Sequence, residues 1–202
     1  MKSIPRIVAF LFPFYFAFML STLEAKTTFT KKYDLYLRKY SQQYFGPFFD
    51  WYVFKAQAIT ESGLDVDARS RSGARGIMQL LPSTWKEIQS RNPEFTSINN
   101  PRWNIAAGIY YVRSHWRAWS RIESAKNRLA LTFGSYNAGR GRINQARQIA
   151  RARDLDPDQW KNLVEIGPRV PRWRYRETSQ YILKIKRSYL EISPHPVSIL
   201  PE

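Results

Sequence analysis

Along most of the chain, apolar side chains return every three or four positions, and nowhere do they alternate for the length of a strand. Tyr33, Tyr36, Leu37, Tyr40 and Tyr44 predict a first helix, closed by Gly46 and Pro47. Asp50 stands where an N-cap belongs, and Trp51, Phe54, Ala58 and Glu61 then share one helical face, which puts a carboxylate on the apolar side. The period stops from Gly63 to Gly76, where Ala68 to Arg75 reads as a Ser- and Arg-rich loop. The apolar run Ile77 to Leu81 leads to Pro82, which opens a helix carrying Trp85 and Ile88. After Asn99, Asn100 and Pro101 comes the cleanest pattern, Ile105, Ile109, Val112, Trp116 and Trp119. Leu129, Phe133 and Tyr136 mark a helix ended by Gly139 and Gly141, and Ile143, Ala146 and Ile149 mark the next. Asp156, Pro157 and Gln159 give a capping signal before Trp160 and Leu163, and Ile182, Ile185 and Tyr189 line a last helix that ends at Pro194 and Pro196. The expectation is one all-α domain.

Composition changes this picture at the N-terminus. Lys2 and Arg6 precede Ile7 to Leu20, apolar throughout except for Pro13, and Ser21 to Ala25 follow. This order of basic, apolar and small residues is that of a secretory leader cut after Ala25, or else of a retained membrane anchor at the short end of a spanning length. Residues 1–25 are read as that segment, 26–47 as an N-terminal helical extension, 48–193 as the body that carries the chemistry, and 194–202 as a tail. The 202 residues hold 32 Lys and Arg against 16 Asp and Glu, a net charge of +16, and no cysteine. A body that is 44% hydrophobic and 15% aromatic is folded, so the charge sits on a folded surface. Such a surface suits an anionic polymer or membrane, and export argues against nucleic acid as partner. Without cysteine there is no disulfide, thiolate zinc site, thiol nucleophile or lipidated N-terminal cysteine.

Only two histidines are present, His115 and His195, and both are expected at the surface, away from any serine nucleophile. No spacing suits a metal site, and neither metal nor cofactor is expected. Carboxylates remain. Glu61, on an apolar face and followed by Ser62 and Gly63, suits a general acid whose pKa is raised by burial. Its alternative is a half-solvated glutamate paired with Arg69 or Arg71.

Four blocks carry a resemblance. The first runs from Ala58 to Thr84 and contains Glu61-Ser62-Gly63-Leu64 and Gly76-Ile77-Met78-Gln79-Leu80. Asn100-Pro101, Asn104-Ile105 and Gly108 to Tyr111 follow, then Ser135-Tyr136-Asn137-Ala138-Gly139, and finally Arg176-Glu177-Thr178 with Tyr181-Ile182. In this order the blocks resemble the signatures of the family 1 lytic transglycosylases (SLT domain), and among them the MltF-like catalytic domain. Asp67, Ser135 and Arg140 depart from the usual pattern, Arg140 by replacing a proline, and none of them removes a reacting group.

The resemblance implies a lysozyme-like (goose-type/SLT) helical domain over residues 48–193, located in the periplasm or cell envelope. It implies cleavage of the β-1,4 bond between N-acetylmuramic acid and N-acetylglucosamine in peptidoglycan glycan strands. Glu61 would act first as acid and then as base, while the muramoyl C6 hydroxyl closes a 1,6-anhydro ring, so a single carboxyl group suffices. It also implies substrate contacts from Ser62, Met78, Gln79, Tyr136, Asn137 and Tyr181. Tyr136 is chemically suited to bond Glu61 or the sugar, or else is a core tyrosine; Asn137 orients an N-acetyl group or caps a helix; Met78 is wall packing or substrate contact; Tyr181 and Glu177 brace the site. A hydrolytic muramidase like the goose-type lysozymes, with Asp65 or Asp67 as second carboxylate, is the enzymatic rival. A cationic module that binds the anionic cell envelope without catalysis is the other, and the N-terminal segment offers a membrane contact in either case. Arginines flank the loop after Glu61, follow the Tyr136-Asn137 motif and precede the last helix, where they suit the lactyl and peptide carboxylates of such a substrate or else are solvated faces.

Overall fold

A computed structural model of the chain describes residues 29–201, and the leader or anchor expected at 1–25 lies outside them. Among the described residues eight α-helices follow one another: α1 (Asp34–Phe45), α2 (Tyr52–Ser62), α3 (Pro82–Gln89), α4 (Pro101–Ala118), α5 (Ala125–Ala138), α6 (Arg140–Arg151), α7 (Trp160–Ile166) and α8 (Tyr175–Ile192). A short 3₁₀ turn, Gly167–Arg169, joins the last two. Among the described residues there is no strand, only two isolated bridges, Arg69 with Arg75 and Arg75 with Leu80, which fold the loop after α2 back on itself.

The ends follow local chemistry. Gly63, at φ 66°, closes α2 in the left-handed conformation that glycine adopts without a Cβ penalty. Asn100 accepts from the N–H groups of Arg102 and Trp103 at 3.0 and 3.4 Å and so starts α4, with Pro101 in its first turn. Asp50 works one residue earlier than expected: Trp51 is the boundary residue of α2. The Asp50 carboxylate still receives the Tyr52 N–H at 3.0 Å, and its other oxygen takes the Tyr189 hydroxyl at 2.6 Å, tying the start of α2 to α8.

α2 packs along α8, α4 lies between α1 and α5, and α5 is further flanked by α6 and α8. Leu37, Phe54, Ile105, Ile109, Leu131, Phe133, Ile143 and Ile185 meet in one core with no exposed surface. Each such side chain contributes about 1.5–3 kcal/mol of burial free energy. α1 belongs to this core through Leu37 and Tyr40, and its Asp34 pairs at 2.7 Å with Lys55, a buried lysine of α2. Ser135, one of the departures from the resembled pattern, is fully buried and its hydroxyl accepts the Trp119 indole N–H at 3.1 Å.

One expectation fails here. His195 is exposed, but His115 is only 3% exposed. The apolar pattern of α4 marks one face, whereas the helix is covered by α1, α3 and α5 together, so its buried arc extends beyond that face. No helix among the described residues is long and apolar enough to cross a membrane.

Candidate active site

Glu61 sits in the last turn of α2 and opens onto a cleft of about 460 Å³ whose lining includes Gln79, Thr84, Tyr111, Tyr136, Asn137 and Glu177. Two walls define it. The first is the α2–α8 pair. There the Tyr181 hydroxyl donates to Glu61 Oε1 at 2.5 Å and accepts from Gln57 Nε2 at 3.1 Å. Gln57 and Glu61 are one turn apart on α2, so the relay Gln57–Tyr181–Glu61 needs no bending of either helix. Burial pushes the Glu61 carboxyl up to about 7, against the opposing pull of the hydrogen bonds from Tyr181 and Gln57. Near neutral pH it is therefore divided between acid and carboxylate. Burial, and then the Glu61 charge, hold the Tyr181 and Tyr136 phenols well above the usual tyrosine range, so both stay protonated.

The second wall is the loop between α2 and α3, which lacks a ladder of its own and is shaped by side chains from elsewhere. Asn104 of α4, 1% exposed, accepts the Met78 N–H at 2.8 Å and donates to the carbonyls of Arg75 and Ile98 at 3.0 and 2.9 Å. Tyr136 of α5 donates to the Met78 carbonyl at 2.7 Å, and Ser62 donates to that of Ile77 at 2.9 Å. Both polar groups of the Met78 backbone are thus held. Its side chain is fully buried against Gly108, where a Cβ would come within 2.6 Å of Met78 Cβ. Gln79 then takes φ 44°, a left-handed conformation uncommon outside glycine, and its amide donates to the carbonyls of Gly76 and Ala68 at 2.9 and 3.2 Å.

Of the residues expected at the site, Glu61, Gln79, Tyr136 and Asn137 line the cleft. Ser62, Met78 and Tyr181 do not: Ser62 and Met78 build the loop wall, and Tyr181, 7% exposed, stands behind Glu61. The phenol bonded to Glu61 belongs to Tyr181, while that of Tyr136 goes to a backbone carbonyl. Among the described residues, neither Arg69 nor Arg71 pairs with Glu61. Asp65 and Asp67 are exposed, outside the cleft lining, and Asp65 accepts the Asp67 N–H at 2.9 Å. The other carboxylate on the lining, Glu177, is exposed and paired with Arg174 at 2.8 Å. No cluster of three or more His, Cys, Asp or Glu suited to a metal occurs among the described residues. Gln57, Asn104, Thr84 and Tyr111 join the site without having been expected there. For Gln57 the signal was its place one turn before Glu61, and for Asn104 a polar residue beside Ile105 in a strongly apolar helix.

Known proteins share this fold. Two solved structures superpose on it: the 70 kDa soluble lytic transglycosylase of Escherichia coli, 22% identical, with a TM-score of 0.61 over 81% of this chain and 24% of that one; and an inactive mutant of the lytic transglycosylase Slt of Pseudomonas aeruginosa, 23% identical, with a TM-score of 0.64 over 86% of this chain and 26% of that one. The fold is thus the lysozyme-like helical fold of those lytic transglycosylases. In sequence the chain is similar to two proteins named membrane-bound lytic murein transglycosylase F. That of Desulfosudis oleivorans is 32% identical over 66% of this chain and 28% of its own length. That of Shewanella sediminis is 28% identical over 76% of this chain and 31% of its own length. The chain therefore spans less than a third of these relatives. The family model described as the transglycosylase SLT domain matches residues 39–159, from within α1 to just before α7 and including Glu61, Asn104 and Tyr136. A match over more than half of the sequence, on a helical scaffold of the same kind, makes this chain a member of the transglycosylase SLT domain family.

Proposed function

We propose that the chain is a peptidoglycan lytic transglycosylase of the cell envelope, cleaving the β-1,4 bond between N-acetylmuramic acid and N-acetylglucosamine without water, with Glu61 as its catalytic acid and base. The observation that carries this reading is a half-buried carboxyl group, raised to about 7 and hydrogen-bonded by Tyr181, on the wall of a cleft of about 460 Å³. At that pKa Glu61 holds a proton to give and regains basicity once it has given it. The proton goes to the glycosidic oxygen as the bond to the anomeric carbon breaks. The carboxylate, stabilised by the Tyr181 hydroxyl, then takes the proton of the C6 hydroxyl as that oxygen bonds the same carbon. Proton and electron count close on the 1,6-anhydro product, and Glu61 ends protonated, as it began.

A hydrolytic route asks for a second carboxylate roughly 5–9.5 Å from the acid. Asp65 and Asp67 lie outside the cleft lining, and Glu177 is exposed and engaged by Arg174, which supports the one-carboxyl route. We assign substrate contact to Gln79, Tyr136 and Asn137, wall building to Ser62 and Met78, and the positioning of Glu61 to Tyr181. Residues 48–193 form the catalytic body in this reading, and 1–25 carry the chain out of the cytoplasm. The membrane-bound designation of the relatives and the net charge of +16 support a place at the anionic envelope, and binding there weakens with added salt.

Digesting purified sacculi with the protein and measuring the masses of released muropeptides tests the reading. Anhydro ends are expected; water-added reducing ends would establish a muramidase instead, and binding without release a non-catalytic module. Mass spectrometry of the exported protein separates cleavage after Ala25 from retention of the segment.

A further inference from the structure

The start of α2, at the opposite end from Glu61, carries an apolar surface that the cleft does not use. Just before this helix Phe48 is 100% exposed, more than any other large apolar side chain described. Its neighbour Phe49 and Trp116 of α4 line an apolar groove of about 350 Å³ that reaches Leu129 of α5 and Ile199 of the C-terminal tail. Val197, two residues before Ile199, is 61% exposed. One apolar side chain in water is ordinary, but a protruding phenylalanine beside such a groove makes a patch that calls for a partner.

The charge around this patch has one sign. The Arg113 guanidinium lies over the Phe45 ring at 5.2 Å and that of Arg128 over the Trp116 ring at 3.9 Å, and these two rings pack on each other and on Phe49. Burial and then the charge of Arg117 pull Arg113 below its ordinary value, and burial and then Arg113 do the same to Arg128. The three arginines are thus neighbours that repel one another. None of them forms an ion pair among the described residues, and Arg113 Nε is buried without an acceptor. Lys126 adds a further positive charge on the groove itself. The acid on that lining, Asp50, is already taken by the Tyr52 N–H and the Tyr189 hydroxyl.

We propose that this face docks on an anionic lipid bilayer, with Phe48 entering the boundary of the acyl layer and the arginines and Lys126 meeting the headgroup phosphates. A bilayer supplies both chemistries at once, negative charge at its surface and an apolar layer just beneath it. A charged glycan supplies only the first. The eleven residues of α2 span about 16 Å between this face and the turn that carries Glu61, so contact at the start of the helix leaves the cleft uncovered. The inference deepens the envelope placement proposed above by naming the lipid face, and it depends neither on the catalytic reading nor on retention of residues 1–25.

The chain has no cysteine, so a single one can be introduced and labelled alone. In the full chain, Phe48→Cys and, beyond the Glu61 end of α2, the exposed position Asp67→Cys are each labelled with an environment-sensitive fluorophore. At the first site the apolar label takes the place of the phenylalanine ring. Vesicles of phosphatidylglycerol mixed with phosphatidylcholine are expected to shift the emission of the label at 48 to the blue, about fivefold more than phosphatidylcholine alone, and to leave the label at 67 unmoved. Lys126→Glu combined with Arg117→Glu, both at exposed positions, is expected to cut the shift at 48 by about half or more. No shift at 48, an equal shift at both sites, or a shift indifferent to lipid charge or to the two charge reversals overturns the proposal. A blue shift that grows with protein concentration in the absence of vesicles assigns the face to a second copy of the chain and overturns it as well. The lipid measurement and the muropeptide digest fail independently, because one reads docking and the other reads bond cleavage.

Discussion

The two walls of the cleft are built on opposite principles. The α2–α8 wall is two regular helices in apolar contact, and the acid and its phenol partner project from them in ordinary helical register. The loop wall has no ladder and bends through a left-handed Gln79; Asn104, Ser62 and Tyr136 hold it by bonds to its backbone. The reacting group therefore stands on the part whose geometry comes from packing. The surface that meets substrate stands on the part whose geometry comes from a few polar bonds. Variants in the first wall should alter protonation, and variants in the second should alter stability and substrate affinity.

Replacing the acid makes the largest difference. Glu61→Gln is expected to lower anhydro-muropeptide release by about 10³-fold or more, read by mass spectrometry, while binding to sacculi persists. The same variant tests the burial of the carboxyl. Glu61 rises from 4.5 to about 7 on folding, so the unfolded chain loses its proton first and stability falls as pH climbs between those values. The penalty is absent below pH 4.5 and complete above 7, on the order of 3 kcal/mol by linkage. Glu61→Gln should accordingly raise Tm at pH 8 and leave it unchanged at pH 4.

The loop wall gives the next largest effect. Asn104→Ala strips acceptors and donors from Met78, Arg75 and Ile98 together, and about 2–4 kcal/mol of stability should disappear from urea unfolding, with activity reduced at every pH. Tyr181→Phe follows, at roughly tenfold in kcat. Because the Tyr181 bond lowers the Glu61 pKa, losing it drives the carboxyl higher still, and the alkaline limb of the pH–rate profile should move upward. Tyr136→Phe is the smallest, about 1 kcal/mol of stability from the lost bond to Met78, with the alkaline limb unmoved. A shifted limb in Tyr136→Phe and a fixed one in Tyr181→Phe would reverse the roles given to the two walls.

The first wall was the more legible in sequence. The helical period placed Glu61 on an apolar face at a helix end, which suited a desolvated carboxyl but left open a half-solvated one paired with Arg69 or Arg71. Its phenol partner was not readable from that period, since Tyr181 lies 120 residues away and reaches Glu61 only because α2 and α8 pack together. The apparent candidate, Tyr136, comes from the Ser135–Gly139 block, but its hydroxyl donates to the Met78 carbonyl of the other wall. Asn104 and His115 show a second limit. A polar residue inside an amphipathic pattern reads as solvent-facing, and only the cover from α1, α3 and α5 shows that α4 has little solvent face to offer there.

The relay behind Glu61 joins residues at the two ends of the domain, 124 positions apart between Gln57 and Tyr181 and 120 between Tyr181 and Glu61. Contacts of such sequence separation carry a loop-closure cost and form late in folding. α8 is the last helix among the described residues, so the acid gains its phenol and the cover of that helix only when α8 docks. A nascent or half-folded chain holds an ordinary, solvated glutamate. A lytic activity of the kind proposed is thus timed by topology, silent until α8 is in place.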